Sequence, residues 1–164
     1  MPVITRKRTA PRVGAFFDMD KTLISENSGS LYMKYRYQRG EVDGWALAKG
    51  LFDYLRYKAG IPDIRAFTQP AMLEFRGQSE RKLLREARDF VEQMVVPTVY
   101  PEAIETLRWH QKQGHIVAIV SGATKFVVRP VAEALGIKHY LYTRLEVEHG
   151  RFTGRVIDPL CFEE

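Results

Sequence analysis

Residues 13 to 23 read Val-Gly-Ala-Phe-Phe-Asp-Met-Asp-Lys-Thr-Leu. The apolar run of Val13, Ala15, Phe16 and Phe17 is long enough for one buried strand and too short for a typical helix. It leads straight into two carboxylates, Asp18 and Asp20, and then the hydroxyl of Thr22. Residues two apart at a strand end project to the same side. Both acids are therefore expected to face one spot just past the strand's carboxyl end, where open α/β sheets place ligands. Two like charges held that close are costly unless a cation, a proton or the chemistry itself uses them. The competing reading is an Asp-rich turn that leaves a strand and caps a helix beginning near Thr22.

A second stretch has the same form. Ile116-Val-Ala-Ile-Val120 reads as a buried strand, and it ends in Ser121, Gly122, Ala123 and Thr124. Two strands that end in small polar residues, about a hundred residues apart, fit one parallel sheet. Between them the pattern is helical. Residues 29 to 39 read as a helix stopped by Gly40, with Leu31 and Tyr35 on one face; residues 22 to 25 read as a short helical turn. Further helices are expected over 43–59, over 63–75 with an interruption at Pro70, and over 80–95 behind a Ser79 cap. The segment from Pro97 to Pro101 reads as a linker.

A helix is then expected over 101–113, with Ile104 and Leu107 toward the sheet and Trp109 off that stripe. His110 reads as a surface residue and His115 as structural. After Ser121 and Gly122 a helix is expected over 125–135, then a third core strand over 139–143. Residues 145–157 alternate around His149-Gly150 as a β-hairpin.

Asp18, Asp20 and Thr22 in their strand context, with Ser121 at the end of a second apolar strand, resemble the first two motifs of the haloacid dehalogenase superfamily of phosphotransferases. The wording FFDMDKTL…VSGAT is most similar to the subfamily that contains phosphoserine phosphatase. The resemblance implies an α/β fold: a Rossmann-like parallel-sheet core from residues 1–23 and 97–164, with an all-helical cap inserted at 24–96. It implies that Asp18 is the nucleophile and forms an aspartyl-phosphate, and that Asp20 is the acid/base. It also implies that Ser121 and the Gly122 N–H hold phosphoryl oxygens, at what is expected to be a helix start. Thr22 is expected to support the site. Mg²⁺ is the implied cofactor, bound by the Asp18 carboxylate and the Asp20 backbone carbonyl, and a small phosphorylated metabolite is the implied substrate.

Two departures bear on that substrate. Asn27 occupies the position where phosphoserine phosphatases carry a serine-recognising Glu, and Lys21 stands where Ser is usual. The family's third motif, a Lys, and its fourth, an acidic loop, are expected beyond Glu164. On that reading the chain is an amino-terminal piece, inactive alone and incomplete at the sheet edge beside Asp18.

Composition sets the outer bounds. With 45% hydrophobic and 27% charged residues in 164, the chain can bury a core and reads as an ordinary soluble globular protein. Its single cysteine, Cys161, allows no intrachain disulfide and fits a reducing compartment. No apolar run approaches the roughly 18 residues of a membrane span, and the amino terminus lacks a signal-peptide core, so a cytoplasmic location is expected. The net charge of +5 leaves anionic small substrates, membrane surfaces and nucleic acid open. Aromatic residues interleaved with Lys34, Arg36 and Arg39 could serve nucleic-acid stacking, but a cap helix with apolar and wet faces is the favoured explanation, and no nucleic-acid partner is expected. Arg76, Arg81 and Arg85 could face a phosphorylated substrate or simply a solvated helix face. A non-catalytic module that keeps the fold is the remaining alternative.

Overall fold

The computed structural model describes residues 13–45, 72–159 and 161. Most of the helix expected at 43–59 and most of the one at 63–75 lie outside the described residues, and Gly44 and Trp45 are helical. The four strands are β1 (Gly14–Phe17), β2 (Ile116–Thr124), β3 (His139–Glu148) and β4 (Arg151–Ile157), in the order β1-β2-β3-β4. The first two pairings are parallel and the last is antiparallel. The helices are α1 (Ser28–Gln38), α2 (Glu80–Phe90), α3 (Pro101–Lys112) and α4 (Lys125–Ala134). This is the α/β fold that the two strand-and-polar stretches imply.

Local chemistry explains the helix ends. Asn27 caps α1 by accepting from the Ser30 N–H at 3.0 Å, and Gly40 closes it with φ of 69°. Ser79 caps α2, whose Leu83, Ala87 and Phe90 recur at three and four and are buried. The expected helix over 80–95 does not stay regular. It passes into a π-helical turn at Val91–Val95 and then a 3₁₀ turn at Val96–Thr98, which takes the place of the expected linker. Val91 and Val95 are both buried, so the widened turn keeps a continuous apolar face toward the core.

Among the described residues, helices cover one face of the sheet. Ala15, Val117 and Ile119 pack with Leu107 of α3 and Val128 and Val131 of α4 in a single core cluster. Both crossovers step in the same direction across the sheet, and right-handed crossovers then put both helices on the same side. The alternate residues face away from them: Phe16 is 70% exposed, Leu141 58% and Ile116 38%.

In the second half both the expected third strand and the expected hairpin are present, joined in one element: β3 runs unbroken from His139 to Glu148. Its first residues pair with β2 and its last with β4. Apolar alternation from Leu141 to Val147 lets one strand serve both ladders. The hairpin turn falls at His149-Gly150 as expected, with φ of 48° and 73°, the left-handed pair a two-residue turn needs. His110 is not a free surface residue but half-buried, with its Nδ1 2.9 Å from His115 Nδ1 and its ring edge-on to Phe17.

Candidate active site

β1 stops at Phe17, and Asp18 is the first residue beyond it. The chain stays extended just long enough to alternate: Asp18 is exposed, Met19 fully buried and Asp20 half-buried. The Met19 carbonyl then accepts the N–H groups of Thr22, Leu23 and Ile24 at 3.4, 2.9 and 3.1 Å. Leu23 and Ile24 anchor this knot in the core with no exposure. Lys21 adopts φ of 63°, so the segment is a tight loop rather than the expected helical turn. The loop swings Thr22 back so that its Oγ1 donates to Asp18 Oδ2 at 3.3 Å. Lys21 reaches along its own loop toward Glu26, 3.5 Å away.

Asp20 is held by the start of α1. Its Oδ1 accepts the Ser28 N–H at 3.1 Å, and its Oδ2 accepts from Asn27 Nδ2 and Ser28 Oγ, both at 3.0 Å. Burial pushes the Asp20 carboxyl above the usual aspartate range, with the neighbouring Asp18 charge adding to the rise; the Ser28 donors and Lys21 oppose it. Ser28 has no counterpart among the residues singled out from sequence, and Asn27, noted there only as a departure bearing on substrate, is here a partner of Asp20. The available signal was the helix-capping preference of Asn and Ser just before the Leu31/Tyr35 period.

Ser121 and Gly122 reach the same end of the sheet from the neighbouring strand. Phe17 is paired with Ile119, so Asp18 and Ser121 lie one and two residues past a matched pair. The helix expected after Ser121 and Gly122 begins at Lys125 as read, but these two residues do not themselves form its first turn. They sit inside β2. Between Val120 and Thr124 the strand carries extra residues opposite Leu141 to Thr143, a bulge that breaks the ladder. Within it, buried Ser121 accepts the Ala123 N–H on its Oγ at 3.2 Å. Lys125 is tied to Glu80 at 3.2 Å.

The candidate ligands offered by Asp18 and Asp20 are hard oxygens, the donor type that suits a Mg²⁺ ion that keeps several of its waters. Among the described residues there is no cluster of three or more His, Cys, Asp or Glu side chains able to hold a metal. The Asp18 carboxylate and the Asp20 carbonyl are thus compatible with such an ion as two ligands of a set completed by water or further groups.

A family model for haloacid dehalogenase-like hydrolases matches residues 15–164. The chain belongs to that family. It is 30% identical over 152 residues to a histidinol-phosphatase of Neisseria meningitidis, covering 92% of this chain and 68% of the relative. Among solved structures it superposes with TM-score 0.81 and 25% identity on a protein of unknown function from Bordetella pertussis Tohama I, over 94% of this chain and 70% of that one. A phosphoserine phosphatase in its phospho-aspartyl intermediate analogue state shares the fold at TM-score 0.62 and 19% identity, over 90% and 63% of the two chains. The family member described here spans 54% to 68% of the first curated relatives it matches. No helix among its described residues is long and apolar enough to cross a membrane.

Proposed function

We propose that this chain carries the nucleophile and the acid/base of a Mg²⁺-dependent phosphomonoester hydrolase acting on a small phosphorylated metabolite in the cytoplasm. The observation that carries the reading is the division of labour between two carboxylates at one strand end. Asp18 is exposed, and Asp20 is half-buried with its pKa raised. An exposed carboxylate free to attack, beside a half-buried carboxyl held toward its protonated form, is what nucleophile and acid require.

Asp18 attacks phosphorus through a carboxylate oxygen, forming the aspartyl-phosphate as the ester oxygen departs. Thr22, donating to Oδ2, orients that carboxylate. Asp20 gives its proton to the departing oxygen; in the second half it takes a proton from the water that attacks the phosphoryl group, which restores Asp18. The acid proton belongs on Asp20 Oδ1, since that oxygen accepts one hydrogen bond and Oδ2 accepts two. Ser121 and Gly122 supply donors for the phosphoryl oxygens. A bound Mg²⁺ would screen negative charge between carboxylate and phosphate. Residues 24–96 form the cap, and the cap limits which leaving groups enter.

Asn27 narrows the substrate. Its Nδ2 donates to Asp20 and its Oδ1 caps α1, so both ends of the amide are engaged inside the protein. A phosphoserine amine would find neither a carboxylate nor a free acceptor at this position. A phosphate monoester recognised elsewhere on its leaving group is favoured, and the histidinol-phosphatase relative makes histidinol phosphate the first candidate beside phosphoserine.

The test is phosphate release from an aryl phosphate, histidinol phosphate and phosphoserine by the protein that carries these residues. Asp18→Asn should lower turnover by about 10⁴-fold or more. Asp20→Asn should cost about 10²–10⁴-fold, most with the poorest leaving groups. EDTA should abolish release and Mg²⁺ restore it. An Asp18→Asn protein that turns over like its parent sinks the assignment and favours a non-catalytic module.

A further inference from the structure

The helices α2 and α4 lie side by side and run in the same direction. Glu80 meets Lys125 at their first residues, at 3.2 Å, and Arg88 meets Glu133 near their ends, at 3.4 Å. Between these two ion pairs is an open groove of about 400 Å³. Among the described residues, five cations and two carboxylates line it. The acids are already committed: Glu80 to Lys125, and Glu133 to both Arg88 and Arg129, the latter at 2.8 Å.

Arg81 and Arg85 remain. They are one helical turn apart on α2, both exposed, and neither has an acidic or hydrogen-bonding partner among the described residues. Like charges at this spacing disfavour the helix that carries them. A multivalent anion seated between them would reverse that repulsion. The guanidinium fork matches phosphate oxygens two at a time. The floor is Leu84 and Pro130, and among the described residues no aromatic ring lines the groove. A single-stranded nucleic acid would therefore have charge to follow but no stacking platform.

We propose that this groove is a second anion site, separate from Asp18 and Ser121, that takes a compact oligophosphate, with Arg81 and Arg85 as its principal contacts. The proposal does not depend on the phosphatase reading. Inorganic triphosphate, titrated calorimetrically into the protein at low salt, is the probe. It should bind with one-to-one stoichiometry, and Arg81→Ala with Arg85→Ala together should weaken it by at least about tenfold, as loss of charge-assisted hydrogen bonds requires. Ser121→Ala should leave this binding unchanged, and raising the salt should weaken it. Circular dichroism checks that the double variant is folded; if it is not, Arg85→Gln alone is held to the same direction of change. The proposal is overturned if triphosphate binds the arginine variant as well as the parent. It is equally overturned if Ser121→Ala alone abolishes the binding, or if polyglutamate binds the groove more tightly than triphosphate does, which would make the surface one for an acidic protein segment.

Discussion

Asp20 shows how a single carboxyl is tuned by groups that lie close in sequence yet meet it only after the chain has turned. Burial and the Asp18 charge raise its pKa above the ordinary 3.8, and the Ser28 donors restrain the rise. A raised acid favours the folded state most when protonated. Its contribution is full below the ordinary range and is lost as pH climbs through the raised value. Removing the Ser28 hydroxyl takes a donor that stabilises the ionised form more than the protonated one, so Ser28→Ala should push the pKa higher still. It should also destabilise the protein by about 1–2 kcal/mol at neutral pH, with the loss shrinking as pH falls to about 4, near the ordinary carboxylate range. Urea unfolding of both proteins at the two pH values measures this; an equal loss at both would mean that Ser28 acts through packing rather than through Asp20.

Among the elements, the hairpin of β3 and β4 is tied to the chain before α2 at defined points. The Gly77 N–H donates to the Phe152 carbonyl at 2.8 Å, and the Glu80 N–H to the Gly150 carbonyl at 3.0 Å. Phe152 closes the contact by packing with Leu83, Ala87 and Phe126 in a small second core. Gly154 is where the approach is tightest. Its φ is 83°, and a Cβ there would meet Leu73 Cδ2 at 3.2 Å and Arg76 Cβ at 3.3 Å. Gly154→Ala therefore combines a left-handed backbone with crowding and should cost about 2 kcal/mol or more. Gly150→Ala meets no neighbour and should cost only the backbone share, about 1–2 kcal/mol. Comparing the two melting curves separates strain from crowding, and equal losses would remove the crowding.

At the scale of the molecule, helices α3 and α4 share one face of the sheet, and the opposite face shows Phe16, Ile116 and Leu141 to solvent. Among the described residues β1 also has no strand on its outer side. An unpaired edge next to an apolar face is a template for association. The 164-residue chain should self-associate in a concentration-dependent manner, and Phe16→Lys should shift it toward monomer without loss of secondary structure. Sedimentation velocity over a range of concentrations is the measurement; a parent chain that stays monomeric throughout would show that this face needs no cover.

What the sequence determined by itself is whatever is written in short-range pattern. The apolar run before Asp18 gives β1, and the run from Ile116 to Val120 gives most of β2. The three-and-four spacing of Leu83, Ala87 and Phe90 gives α2, and His149-Gly150 gives the hairpin turn. The two acids and Ser121 were legible as a candidate site for the same reason, since a polar residue at a strand end is a local feature. Tertiary structure decided the rest. That Asn27 and Ser28 grip Asp20 follows from the Met19 knot, which turns α1 back toward the strand it left. The His110–His115 pair depends on the end of α3 meeting the start of β2, and the bulge after Val120 depends on which residues β3 offers as partners. The bare face around Phe16 depends on two crossovers stepping the same way. None of these has a sequence period, because each depends on which distant surfaces are buried together, and that burial energy belongs to pairs of segments rather than to either one.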